Sequence, residues 1–191
     1  PFVPDLPRAT SKQVGYDQLG YRDLMEALAE RFHTTPETIV ALNDPAIKFG
    51  AGAVIRVPNV ADVDSATLPK DERGWNRTLV SLAVSPTQLE AAKVVVDKSD
   101  GALRAYDASG KLLAQFPATM GSQHDPLPIG EWTIQGVSRN PDYHYNPDLF
   151  WGAKGSDKGG LIKPGPNSPV GVAWLDLSKE HYGIHGTPEP Q

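Results

Sequence analysis

Cysteine is absent from this chain. That excludes disulfides, thiolate metal sites and a cysteine nucleophile among its 191 residues. Long apolar runs are lacking too. Nothing approaches the ~18 residues of a membrane-spanning helix, and no charged-then-apolar leader opens the chain. Positive charge is in deficit, with 18 Lys and Arg against 23 Asp and Glu and a net charge of −5. Nucleic acid and anionic lipid therefore find no electrostatic footing. Aspartate and histidine chemistry, or none, is what remains. Proline, by contrast, is plentiful: 18 residues, which with 18 glycines make 36 of 191, below the ~25–30% of a disordered composition. A globular chain rich in turns is expected, opening on Pro1 rather than Met as a processed or cut chain would.

Residues 1–18 carry Pro1, Pro4 and Pro7 without apolar period and read as an extended lead-in. Leu24, Ala27, Leu28 and Phe32 then recur at helical spacing. Thr34 and Glu37 have the spacing of a capping box, with Pro36 suited to the first turn of a second helix that stops near Asn43-Asp44-Pro45. Gly50-Ala51-Gly52 turns into a short expected strand, Val54-Ile55-Arg56-Val57, closed by Pro58.

The stretch 19–60 resembles a LysM module, a small peptidoglycan-binding βααβ fold. The resemblance rests on Leu28-Ala29-Glu30-Arg31-Phe32, Thr35-Pro36-Glu37, Leu42-Asn43, Gly52 and Ile55-Arg56-Val57-Pro58. Tyr16-Asp17-Gln18-Leu19 stands where that family has Gly-Asp-Thr-Leu. A helix pair that only stiffens the entry to the next domain is the alternative. Residues 61–88, polar over Asp62 to Asn76, read as a linker or edge segment.

From residue 89 the pattern turns to strands. Ala92–Val96, Leu103–Tyr106, Leu112–Met120, Glu131–Val137, Val172–Leu177 and Tyr182–His185 are strand-like. Asp97-Lys98-Ser99-Asp100-Gly101 and Asp107-Ala108-Ser109-Gly110 are turns ending in a glycine fit for positive φ. Short strands with Gly/Pro turns argue for a mainly β domain, sandwich- or barrel-like, behind a small α+β N-terminal module.

The deciding residues come late. Pro164-Gly165-Pro166-Asn167-Ser168-Pro169-Val170-Gly171 precedes Ala173-Trp174-Leu175-Asp176-Leu177 and Tyr182-Gly183-Ile184-His185-Gly186-Thr187. Together they resemble the YkuD-type L,D-transpeptidase domain, with its Pro-Gly-Pro-x-x-Pro-x-Gly loop before an Ile-His-Gly-Thr strand end. Val94-Val95-Val96-Asp97, Leu103-Arg104-Ala105-Tyr106 and Ala118-Thr119-Met120-Gly121 agree with its opening hairpins, and Pro128-Ile129-Gly130 stands for its Pro-Thr-Gly. The resemblance covers about 89–191.

It implies acyl transfer from a peptidoglycan stem tetrapeptide through a cysteine thioester, with His185 as the base. The nucleophile sits in a Ser-His-Gly-Cys-Arg motif one loop further on, which this sequence, ending at Gln191, does not reach. By that reading the chain as given is inactive and the complete protein is the enzyme. Trp151, Tyr182, Gly186 and Thr187 are the expected substrate-binding residues. No metal or organic cofactor is expected. The expected partners are peptidoglycan stem peptides and glycan, with carbapenem β-lactams acylating the missing cysteine, in the periplasm or cell envelope.

Each residue also has a plainer reading. His181 and His185, four apart, invite a metal-dependent hydrolase, but Gly183 between them and the β-like context spoil the one-face helical geometry such a pair needs. Trp151, Trp174 and Tyr182 read first as packing aromatics, with Trp151, in the irregular segment, the best of the three for a substrate wall. His33 reads as a cation at a helix end, and Asp142-Tyr143-His144-Tyr145 and His124-Asp125 as loop. The class-level alternative is a non-catalytic peptidoglycan-binding protein using the LysM-like module.

Overall fold

Asp23 starts the first helix by accepting the Glu26 amide at 2.9 Å in the computed structural model, which describes residues 2–121, 123–124, 126–150 and 152–190. Helix α1 (Leu24–Arg31) follows, and α2 (Pro36–Ala41) has Pro36 in its first turn. The cap of α2 is Thr35, whose hydroxyl takes the Thr38 amide at 3.2 Å, and not the expected Thr34. Proline favours an extended residue before it, which puts Thr35 in the capping conformation.

The expected strand 54–57 does not form. Val54 is 91% exposed, and the Arg56 backbone N–H and C=O are both bonded to the Asn43 side chain. An isolated strand needs a partner, and the stretch before α1 is engaged elsewhere. Leu19 donates to Pro164 O at 3.3 Å and accepts from the Asn167 amide at 3.1 Å. Its side chain is fully buried in a small core with Leu6, Tyr145 and Ile162.

Within 61–88 a third helix appears, α3 (Trp75–Ser81), entered through Gly74 at φ 74°. It docks by Thr78, whose hydroxyl reaches Asn140 Oδ1 at 3.0 Å, while Arg73 bonds Asn140 O and Asp142. Arg31 of α1 bonds the Val80 carbonyl, and His33 Nε2 lies 2.7 Å from Leu82 O, at φ 50° past the helix end.

The chain divides into two compact units, Thr87–Glu131 and the remainder, Pro1–Pro86 with Trp132–Gln191. The first holds an antiparallel meander of β1 (Lys93–Asp97), β2 (Ala102–Tyr106) and β3 (Leu112–Pro117). Both of its turns are built as expected: Asp97 and Asp107 each accept a serine amide two residues on, and Gly101 and Gly110 sit at φ 65° and 85°.

The larger unit holds two sheets. β4 (Ile134–Arg139), β7 (Ala173–Leu177) and β8 (Gly183–His185) pair antiparallel in the order β4-β7-β8. β5 (Tyr143–Tyr145) pairs with β6 (Gly160–Ile162), two strands that the turn-rich composition of 138–167 concealed. Strand residues outnumber α-helical ones, the mainly β balance expected. Among the described residues no helix is long and apolar enough to cross a membrane.

Candidate active site

Antiparallel pairing places directly opposed residues on one face. Ser138 of β4 opposes Trp174 of β7, and Trp174 opposes His185 of β8, so the three stand in a row across the sheet. The Trp174 and His185 rings stack with centroids 5.1 Å apart and planes 5° from parallel. Gly183, two residues before His185 and on the same face, is the residue that lets the indole lie down. A Cβ there would run into the Trp174 ring.

His185 is exposed at the strand end, and its Nδ1 lies 2.7 Å from the Gly186 carbonyl. A carbonyl only accepts, so the neutral ring carries its proton on Nδ1 and its Nε2 lone pair has no hydrogen-bond partner among the described residues. That is the tautomer a proton-accepting imidazole needs.

Behind Gly186 runs the loop 164–171. Gly171, at φ 64°, lies so close that a Cβ would come 2.7 Å from Gly186 Cα. Next to the row is a cavity of about 270 Å³ lined by Ser138, Pro141, Asp142, Tyr143, His144, Val170 and Trp174. The Arg73 guanidinium holds the Asp142 carboxyl below the usual carboxylate range, so one wall of this cavity carries an ionised carboxylate paired with Arg73 and with Lys163 3.8 Å away.

Gly186 and Thr187 continue directly from His185 and are exposed. Tyr182 lies at the other end of β8, three residues away or ~10 Å along a strand, 38% exposed with the Lys179 ammonium 5.0 Å over its ring. Trp151 and Asp125 lie outside the described residues. His181 points its ring to Glu180 at 3.5 Å, and among the described residues no group of three or more His, Cys, Asp or Glu is disposed to hold a metal ion. Trp174 is the residue that sequence reasoning left as packing. Its stacking on His185 follows from their register, which no local pattern reveals.

A family model for the YkuD L,D-transpeptidase catalytic domain matches residues 91–191, more than half of the chain, and the chain belongs to that family. Two Bacillus proteins named "Putative L,D-transpeptidase YkuD" are similar over most of its length. The one from Bacillus licheniformis is 26% identical over 171 residues, 88% of this chain and 73% of the relative. The one from Bacillus subtilis (strain 168) is 27% identical over 176 residues, 91% and 76% respectively. Both similarities extend N-terminally past the matched domain.

Proposed function

We propose that this chain carries the catalytic domain of a peptidoglycan L,D-transpeptidase acting in the cell envelope, with His185 as its general base. The nucleophile is a cysteine thiol lying beyond Gln191. The observation that carries this reading is the His185 ring, exposed at the strand end with Nδ1 committed to Gly186 O and Nε2 unpartnered among the described residues.

In the reaction, Nε2 takes the thiol proton and the thiolate attacks the carbonyl carbon that precedes a D-alanine in a stem tetrapeptide. The tetrahedral intermediate collapses as the C–N bond breaks, and the imidazolium returns the proton to the leaving D-alanine amine. An amine of a second stem, or water, then attacks the thioester and releases the thiol. No metal and no organic cofactor is required. Gly186, Thr187, Tyr182 and Trp151 are the proposed substrate contacts.

Intact-mass measurement tests this. The protein extended through the cysteine-bearing motif is expected to gain one adduct with a stem tetrapeptide, by loss of D-alanine, and one with a carbapenem. The 191-residue chain, without cysteine, is expected to gain none. An extended protein that takes up neither overturns the reading.

A second reading has an observation of its own. An open concavity of about 550 Å³, lined by Leu42, Asn43, Asp44, Ile47, Val54 and Arg56 among others, flanks the end of α2. In the resemblance to a LysM module this would hold peptidoglycan glycan, with no catalysis needed. The 191-residue chain should then sediment with insoluble peptidoglycan, and Val54→Asp, at a position 91% exposed, should release it at least several-fold without lowering Tm. Full retention of the variant would remove this concavity as the binding site.

A further inference from the structure

Asn167 is fully buried, and every polar atom of its side chain is used. Its Nδ2 donates to Gly20 O at 3.0 Å and to Glu26 Oε1 at 2.8 Å, and its Oδ1 accepts from the Arg22 guanidinium. Its main-chain amide donates to Leu19 O at 3.1 Å. All of these partners come from residues 19–26, far away in sequence, and converge on one residue in the loop 164–171.

Arg22 itself is a hub. It bonds Leu6 O at 3.4 Å and Glu26 Oε1 at 3.2 Å, and lies 3.8 Å from Glu189, which Arg8 also pairs. The strand end that carries His185 is therefore flanked on both sides. Glu189 beyond it is held by Arg8 and Arg22, and Gly186 beside it is backed by Gly171 of the Asn167 loop. Within that loop, Ser168 and Gly171 are tied in by amide bonds to Gly165 O at 3.0 Å and Ser168 O at 2.8 Å.

We propose that Asn167 is a positioning residue for the base: clamped by Arg22, Glu26 and the 19–20 backbone, it holds the 164–171 loop against Gly186 and so keeps the Gly186 carbonyl on His185 Nδ1. The role of His185 as base is taken from the proposed function; the mechanical coupling is read from the contacts alone. Only an amide fits. A carboxylate at 167 would face Glu26 without a donor, and an apolar side chain would take the donor from Gly20 O and one partner each from Arg22 and Glu26 in a buried place.

The test reads the His185 tautomer by ¹⁵N NMR of the ring in the 191-residue chain at about pH 9, where an ordinary imidazole is neutral. The unaltered chain is expected to show one tautomer, protonated on Nδ1. Asn167→Ala should give a mixture of both tautomers. Ile39→Ala, a fully buried position on α2, serves as a control of comparable stability loss that leaves the single tautomer in place. Pairing Asn167→Asp with Glu26→Gln should recover much of the Nδ1 form that Asn167→Asp alone loses, because the pair then regains a donor: the amide introduced on α1 faces the carboxylate introduced in the loop. Arg22→Lys, which keeps the charge but not the fork, decides the matter where Asn167→Ala does not fold, and should also mix the tautomers. An unchanged single tautomer in the folded variants, or equal mixing in Ile39→Ala, overturns the proposal. Because the readout is the ring and not the reaction, a failure of acylation leaves this result standing, and the converse also holds.

Discussion

A His185→Ala variant of the protein extended through its cysteine is expected to fold and to lose acylation by about 10³-fold, within the ~10²–10⁴ range of a lost general base. The ring is exposed, and among the described residues it stacks on Trp174 and bonds Gly186 O. Removing the stack costs ~0.5–1.5 kcal/mol, too little to unfold an ordinary domain. The chemical loss is larger because a thiol is a weak nucleophile until its proton has gone, and an unassisted one has a pKa of ~8.5. Residual activity in the variant should therefore climb with pH toward that value, as hydroxide replaces the imidazole in making thiolate. Acylation rates by stopped-flow or mass spectrometry across that range check both parts. A variant within about tenfold of the parent at neutral pH would show that the proton leaves by another route.

What could be read in advance divides along physical lines. The hairpins of Lys93–Pro117 were legible because alternation and Asp-Ser-Gly turn chemistry act over a few residues, and the chain there obeys its local preferences. His185 stands out as a candidate base only through the motif around it, since a lone histidine near a strand has no chemistry of its own. The hidden features all depend on distant partners. β5 and β6 have three residues each, too few to show a period, and exist because they pair with each other. α3 begins beside Arg73 at φ 53° and Gly74, in a stretch whose acidic residues read as linker. Residues 54–57 alternate well and still form no strand, because Leu19 and its neighbours are bonded to Pro164 and Asn167. The apolar stripe of α1 is only partly buried. Its deepest face is Glu26, Ala29 and Glu30, and carboxylates are so rarely buried that an apolar-period search passes over such a face.

That face gives the second large effect: stability should fall as pH rises between about 4.5 and about 7, and Glu30→Gln should abolish the fall. Burial, reinforced by the nearby Glu26 charge, pushes the Glu30 carboxyl up to about 7. Its surroundings explain why. Tyr21, itself pushed up by burial and by Glu30, faces it with Ser81 behind, and neither the Tyr21 hydroxyl nor Glu30 Oε1 has a well-formed hydrogen bond. Arg22, whose guanidinium bonds the neighbouring Glu26, is committed to that carboxylate and to Asn167. The folded chain therefore holds a proton on Glu30 that the unfolded chain has released over this window, so raising the pH favours unfolding. The contribution is intact below about 4.5 and lost as pH passes about 7, with an upper bound of about 3 kcal/mol. Asp97, Asp107 and Asp142 have carboxyls shifted downward, so their stabilisation is lost only as pH falls below the ordinary carboxylate range, outside this window. Urea unfolding of both chains at about pH 4 and about pH 8 separates the effects, since the downshifted aspartates are common to both. Glu30→Gln keeps the shape and a donor toward Tyr21 but cannot ionise. It should match the parent at the lower pH and exceed it by ~1–3 kcal/mol at the higher. Parallel pH profiles for the two chains would mean that the buried carboxylate gains enough water on ionising to titrate like an exposed one.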